Sequence, residues 1–380
     1  MQVNIKKDKK TGKWYFRLDV GSDPKTGKRR QKYRGGFLTK KAAQEELTLI
    51  QSKVVDGSYF EPSIEEFDVF FNRWFERTYR RNVEVTTAES RRTVADKHIL
   101  SYFKQMKLSN IDTLSIDEFY EAKVEEGLSP AYIKIMHSIL NQAFKKAVTW
   151  KLLKTNPVSD ASPPSVKTTK IKALWTKIET KTFLDLVTER NLEIPYVLGI
   201  FTGMRRGETL GLKWNDIDFE SGKVHVQRSL TRTKNDGIVF KNVKTDSSNR
   251  IVMISEYVST LLKGHKKKQD LIRNKLGFSY TDNDLVNCTF DGKPIEPRNL
   301  LRQFHTLIRQ ANLPKITFHD LRHLHATTLM ALGENPKIVA DRLGHSRVQV
   351  TLDYYSHVSS ELQKLTAQKF EEDFFNVNVQ

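Results

Sequence analysis

The sequence predicts a multidomain α+β protein. A small N-terminal three-stranded β-sheet plus helix comes first, then an all-α region, then a mainly α region with a small antiparallel sheet. Three observations predict this. Strand-like alternation is confined to residues 13–37 and 224–254. Apolar residues at three- and four-residue spacing fill 64–154. Stretches rich in Pro, Gly, Ser and small or basic residues separate the regions. The expected division is 1–57, a linker at 58–65, a helical unit at 66–156, a linker at 157–172, a larger unit at 173–358 and a tail at 359–380.

The first unit holds fifteen Lys and Arg against six Asp and Glu, half of the chain's net charge of +18. Residues 13–20 alternate as a strand, Asp23 to Gly27 is turn chemistry, and Arg29 to Tyr33 continues as a second strand. Gly35-Gly36-Phe37 is expected to break it. Thr39 can cap a helix from Lys40 to about Val55. Trp14, Tyr15, Phe16 and Tyr33 argue against a disordered basic tail.

In the second unit Phe67, Phe70, Phe71, Trp74 and Phe75 form an aromatic stripe. That stripe is expected to be core rather than a base-stacking platform. Further helices are expected over Thr86–Tyr102, Ser115–Glu126 and Ser129–Trp150, with Ser115 and Ser129 as N-caps and Pro130 in the first position. Arg91, Arg92, Lys97, Lys134, Lys145 and Lys146 lie on outer faces.

The third unit starts near Ala173, with Thr176 or Thr180 capping its first helix and Pro195–Thr202 forming the next. Val224–Leu230, Gly237–Val243 and Arg250–Ile254 are expected as three strands of one sheet, with a hairpin over Lys244–Asn249. From Thr317 the punctuation is denser. Thr317 and Asp320 make a capping box, Gly333 ends that helix, and a helix over Pro336–Leu343 stops at Gly344. His319, Arg322 and His323 share one helical face. Ser346 and Gln349 resemble another capping box, opening a helix that carries Tyr354 and Tyr355. Five of the ten histidines fall here: His319, His323, His325, His345 and His357.

Net charge +18 with a pI near 9.7 favours a polyanionic partner, most simply nucleic acid. No apolar stretch has spanning length, and no signal peptide is evident, which disfavours a membrane. The lone Cys288 excludes an internal disulfide and fits a reducing cytosol. His319 and His323 have zinc-ligand spacing, but Asp320 stands where H-E-x-x-H needs its glutamate. Few acids are interspersed, so neither metal nor cofactor is expected.

Thr202-Gly203-Met204-Arg205-Arg206-Gly207-Glu208, Lys244-Thr245-Asp246-Ser247-Ser248-Asn249-Arg250, His319-Asp320-Leu321-Arg322-His323, Leu343-Gly344-His345 and Tyr355-Ser356-His357 occur in this order. The ordered set resembles the tyrosine recombinase (phage integrase) family, over about Ala173 to Val358. The layout ahead of it is similar to integrases of temperate phages and integrative conjugative elements. The resemblance implies the tyrosine recombinase fold, with an arm-type DNA-binding domain at 1–57, a core-binding domain at 66–156 and a catalytic domain at 173–358.

It also implies roles. Arg205 and Arg322 would hold the two non-bridging oxygens of the scissile phosphate, which suits guanidinium forks. His345 would donate to the same phosphate, and Tyr355 would attack it. Lys244 would protonate the leaving 5′-oxygen. His319 would be base or orienting partner, Glu208 would hold the arginine region, and His323 would support the site. Some family members place the tyrosine nine residues after the Leu-Gly-His histidine, which counted from His345 is Tyr354 here. Leu352-Asp353 followed by Tyr355-Ser356-His357 favours Tyr355. The implied activity is integration and excision of a mobile element through a 3′-phosphotyrosine and a Holliday junction. Implied partners are core-type and arm-type sites on double-stranded DNA, a homotetramer on that DNA, an excisionase and a host DNA-bending protein, all in the bacterial cytoplasm. The tail could dock on a neighbouring protomer. Competing readings are type IB topoisomerase-like relaxation and a DNA-binding regulator with an idle catalytic set.

Overall fold

The structure is a computed structural model. It describes residues 3–22, 29–55, 60, 63–165, 174–242 and 248–349, with 352, 367–368 and 370–371. The chain divides into two compact units, Met1–Val166 and Lys167–Gln380. Among the described residues no helix is long and apolar enough to cross a membrane.

The first unit begins with β1 (Lys6–Lys7), β2 (Trp14–Ser22) and β3 (Arg29–Phe37), an antiparallel sheet in the order β1-β2-β3. The glycine pair expected to break the second strand lies inside it. Gly35 pairs with Tyr15 and Phe37 with Trp14, so Gly36 is the extra residue of a bulge, at φ 96°. Glycine there admits a left-handed backbone and bends the strand instead of ending it. The turn expected at Asp23–Gly27 lies outside the described residues. Thr39 Oγ1 accepts from Ala42 N (3.2 Å) at the start of α1 (Lys40–Val55). Ala43, Leu47 and Ile50 of α1 pack against Phe16 and Leu18 of the sheet.

A separate helical core follows. It is built from α2 (Phe67–Trp74), which runs on through a π-helical turn at Phe75–Tyr79, and α3 (Val85–Val94). A second π-helical turn at Ala95–Leu100 leads from α3 into α4 (Ser101–Phe103). Then come α5 (Thr113–Glu125) and α6 (Pro130–Thr149). The aromatic stripe is core: Phe67, Phe70 and Phe71 are fully buried, and Phe67 meets Phe103 and Phe144. Ser129 caps α6 as expected. Ser115 does not cap α5. Asp112 does, its Oδ1 accepting from Ser115 N (2.9 Å) and Oγ (2.7 Å), because an ionised carboxylate two residues before the apolar run is the stronger acceptor.

In the second unit a Thr176–Glu179 capping box opens α7 (Lys177–Glu189). The next helix, α8 (Ile194–Thr202), is apolar and buried nearly all round. Its Tyr196 and Ile200 join a core with Phe183, Phe304 and Phe318, and its Val197 and Leu198 join another with Val224, Val252 and Val258. This central helix delivers the chain to Gly203 and then to the short α9 (Arg206–Gly211).

The single sheet expected next is two. β4 (Ile217–Asp218), β5 (Lys223–Val226) and β8 (Arg250–Met253) form one, in the order β4-β5-β8. β6 (Arg228–Thr233) and β7 (Gly237–Asn242) form the other. The expected strand 224–230 thus breaks at Gln227, whose Nε2 donates to Asp216 Oδ1 (2.6 Å). The strands on either side of Lys244, β7 and β8, belong to different sheets and are not paired as the expected hairpin would have them. Lys244 itself lies outside the described residues. The helices α10 (Glu256–Leu276) and α11 (Pro297–Gln310) were not expected. α12 (Phe318–Ala331) and α13 (Pro336–Leu343) match their expected punctuation: the Thr317–Asp320 capping box is present, and Gly333 (φ 86°) and Gly344 (φ 69°) follow the two helices. Beyond Gln349 the stretch with Tyr354 and Tyr355 lies outside the described residues.

Candidate active site

α8 ends in a left-handed turn at Gly203 (φ 67°). A Cβ there would lie 2.5 Å from Leu343 Cδ2 and 2.9 Å from His325 Cδ2, so both conformation and space demand glycine. The turn throws Arg205 into extended backbone ahead of α9. Arg205 N donates to Glu208 Oε2 (2.9 Å), and its Nη1 donates to Oε1 (2.8 Å). Its side chain keeps 37% of its surface, enough to meet an incoming anion.

Glu208 is 2% exposed. Burial opposes its charge, but Arg250 and then Arg205 outweigh burial and hold its carboxyl below the ordinary range. Arg250 Nη2 donates to Glu208 Oε2 (2.9 Å) and Nη1 approaches Oε1 (3.3 Å).

The C-terminus of α13 organises the rest. A helix leaves its last carbonyls without helical partners, and they form its negative end. Two are closed by the turn itself, Gly344 N on Asp341 O (3.0 Å) and His345 N on Ala340 O (2.9 Å). The next three carbonyls are each taken by a different arginine. Arg342 O accepts from Arg250 Nε (2.8 Å), Leu343 O from Arg322 Nη2 (2.5 Å), and Gly344 O from Arg205 Nη2 (3.4 Å). Arg322, 2% exposed on α12, also donates through Nη1 to Gly203 O (2.8 Å). It therefore ties the two glycine turns together, and His345 follows directly.

His319 and His323 stack edge to face on α12, with ring centroids 4.5 Å apart. Burial lowers the pKa of His319, helped by Arg322 and Arg205. Burial and then His319 push His323 down to about 4. Burial, Arg322 and Arg205 push His345 down to about 4. At neutral pH these rings are uncharged, each with one N–H donor and one acceptor, while the arginines carry the positive charge. Among the described residues no group of three or more His, Cys, Asp or Glu is placed to hold a metal ion.

Of the expected residues, the structure brings together Arg205, Glu208, His319, Arg322, His323 and His345. Lys244, Tyr354 and Tyr355 lie outside the described residues. Sequence reading gave no role to Arg250, Arg342 or His325. Arg342 Nε donates to His325 Nε2 (3.1 Å), so His325 carries its proton on Nδ1, toward Ile200 O (2.8 Å). The signal for Arg250 was present: it falls in phase with buried Val252 on β8.

Comparisons with known proteins show the family and the fold. The Phage integrase family profile matches residues 171–361. An Arm DNA-binding domain matches 4–54, and a phage integrase N-terminal SAM-like domain matches 66–124. A tyrosine recombinase XerC-like protein of Caldanaerobacter subterraneus subsp. tengcongensis is 28% identical over 390 residues, 96% of this chain and 98% of its own. The ICEBs1 integrase of Bacillus subtilis is 29% identical over 286 residues, 75% of this chain and 77% of its own. The fold is similar to the Tn1549 transposon integrase in complex with circular intermediate DNA, at TM-score 0.68 and 22% identity over 80% of this chain and 98% of that one. It is also similar to a lambda integrase tetramer bound to a Holliday junction, at TM-score 0.56 and 18% identity over 92% and 94%. With a family profile spanning half of its length, over the part that builds this cluster of arginines and histidines, the chain belongs to the phage integrase family of tyrosine recombinases.

Proposed function

We propose that this site-specific DNA recombinase integrates and excises a mobile element. The observation that supports the proposal is the fan of Arg250, Arg322 and Arg205 on three successive carbonyls, which gathers the two arginines proposed for the phosphate beside His345. In the proposed reaction Arg205 and Arg322 each take a non-bridging oxygen of the scissile phosphate, and neutral His345 donates to the same group. Tyr355 Oη attacks phosphorus, with His319 orienting it or accepting its proton. The P–O5′ bond breaks, and Lys244 protonates the leaving oxygen. The 3′-phosphotyrosine conserves the bond energy, so a 5′-hydroxyl rejoins the strand by the reverse step without ATP. Positioned cations stabilise the charge that develops in the transition state more than that of the ground state. Glu208 holds Arg205, and His323 supports His319.

The division of labour follows the same reading. Residues 1–57 bind arm-type sites, 66–156 and 173–358 clamp the core site, and four protomers exchange two strand pairs through a Holliday junction. An excisionase and a host DNA-bending protein set direction in the bacterial cytoplasm. The tail at 359–380 docks on a neighbouring protomer, and its deletion lowers strand exchange far more than cleavage.

The test is covalent trapping on a nicked half-site taken from the junctions of the element that carries this gene. Wild type and Tyr354→Phe should form an adduct stable to detergent, and Tyr355→Phe should form none. Loss only in Tyr354→Phe moves the nucleophile by one residue. Relaxation of supercoiled DNA lacking a core site points to a topoisomerase, and absence of any adduct on bound DNA points to a regulator.

A further inference from the structure

We infer that Arg250 is a positioning residue for strand cleavage, which balances the charge of Glu208 so that Arg205 keeps its own charge for the phosphate. The inference rests on the reading of the site just given. Each nitrogen of the Arg250 guanidinium already meets protein oxygen: Nε on Arg342 O, Nη2 on Glu208 Oε2, and Nη1 on Glu208 Oε1 and Ser248 O (both 3.3 Å). Its side chain is only 5% exposed. On this inference Arg250 acts through Glu208 and the turn after α13 rather than on DNA.

Three segments of the site meet at this one side chain. Glu208 stands on α9 beside Arg205, and the Arg342 carbonyl belongs to the turn that presents His345. Ser248 lies just ahead of β8, and Arg250 itself opens β8 opposite Val226. The charge count assigns the role. Glu208 carries one negative charge and faces two guanidinium groups. With Arg250 present the triad keeps one net positive charge, on the arginine that reaches solvent. Without it, Glu208 and Arg205 become a neutral pair, and the phosphate meets a cation already spent on a carboxylate. A buried ion network of this kind adds little stability over apolar packing, which leaves positioning as the reason for its composition.

The experiment is single-turnover cleavage of the same nicked half-site by the full chain, at saturating DNA. R250Q and R250K are each tested in wild-type and E208Q backgrounds. The folded fraction of each variant is measured by circular dichroism. R250Q should slow adduct formation about 100-fold in the wild-type background, the scale of a misplaced catalytic group. Half-saturation by DNA should stay within about threefold, since the lost charge weighs more on the transition state than on ground-state binding. In the E208Q background, where no carboxylate needs balancing, the same change should cost less than about threefold, a coupling between contacting residues. R250K keeps the charge and should lose less than about tenfold in either background. It also carries the test if R250Q alone does not fold. Equal losses from R250Q in both backgrounds, or a loss that follows DNA affinity or folded fraction, would overturn the inference. Wild type that forms no adduct would instead overturn the assigned reaction, a distinct outcome.

Discussion

The two units bury different chemistry. Among the described residues of the first, the buried polar side chains are His98 and Lys123, and the interior is otherwise rings and aliphatics. The second encloses Thr202, Glu208, Thr209, Asp216, Thr233, Arg250, Asn287, Arg322 and His325. Apolar burial is non-directional and tolerates small shifts. A buried guanidinium or carboxylate is tolerated only where each polar atom meets its partner, so it fixes positions at little gain in stability. The first unit is thus built to persist, and the second to hold a few atoms in fixed relation.

The largest effects separate these two kinds of interior directly. Arg322→Ala should destabilise the second unit by about 3–5 kcal/mol, because it strands buried partners, and should abolish cleavage. Phe67→Ala should cost the first unit a similar amount, about 3–5 kcal/mol, yet leave the cleavage rate per bound, folded molecule unchanged. Urea denaturation paired with single-turnover cleavage reads both. An Arg322→Ala protein of wild-type stability would break the comparison. Gly203→Ala comes next. Its left-handed backbone alone costs about 1–3 kcal/mol, the clash with Leu343 and His325 adds to that, and cleavage should fall with stability because Arg205 follows the turn.

Acid gives a smaller, graded effect. Folding pushes His323, His325 and His345 down to about 4, burial being the main cause, from an unfolded value of about 6.5. The unfolded chain therefore binds these protons more tightly. The contribution to stability is fully present above about pH 6.5 and is lost as pH falls from there toward about 4. His98 and His137 shift in the same direction in the first unit. Hydrogen exchange at pH 7.5 and pH 5 should show protection falling more in the second unit, and equal loss in both would remove the contrast. The smallest effects are at the caps. Thr317→Ala and Ser129→Ala should each cost about 1 kcal/mol. Only Thr317→Ala should also slow cleavage, because α12 carries His319 in its first turn.

The same contrast explains what could be read from residues alone. Thr317, Asp320, Pro336 and Gly344 act within a few residues of themselves, so α12 and α13 were visible with their ends. The aromatic stripe from Phe67 to Phe75 was visible for the same reason. Strand pairing between 217 and 254 is not local: β5 joins β8 across the whole β6-β7 hairpin, and no periodicity in β5 names that partner. Asp112 displaced Ser115 as a cap because two acceptors competed three residues apart. The motif arginines and histidines were recognisable as a set. Arg250 closes one of those motifs, but its contact with Glu208, 42 residues away, is not visible in the motif itself.

The carbonyl fan has a consequence for how the chain comes into being. Gly344 O meets Arg205 from 139 residues earlier, Arg342 O meets Arg250 from 92 earlier, and Leu343 O meets Arg322 from 21 earlier. Contacts this distant must close large loops before they form. On the ribosome the three guanidinium groups emerge before the turn that aligns them, so their arrangement waits until nearly all of the second unit has been made.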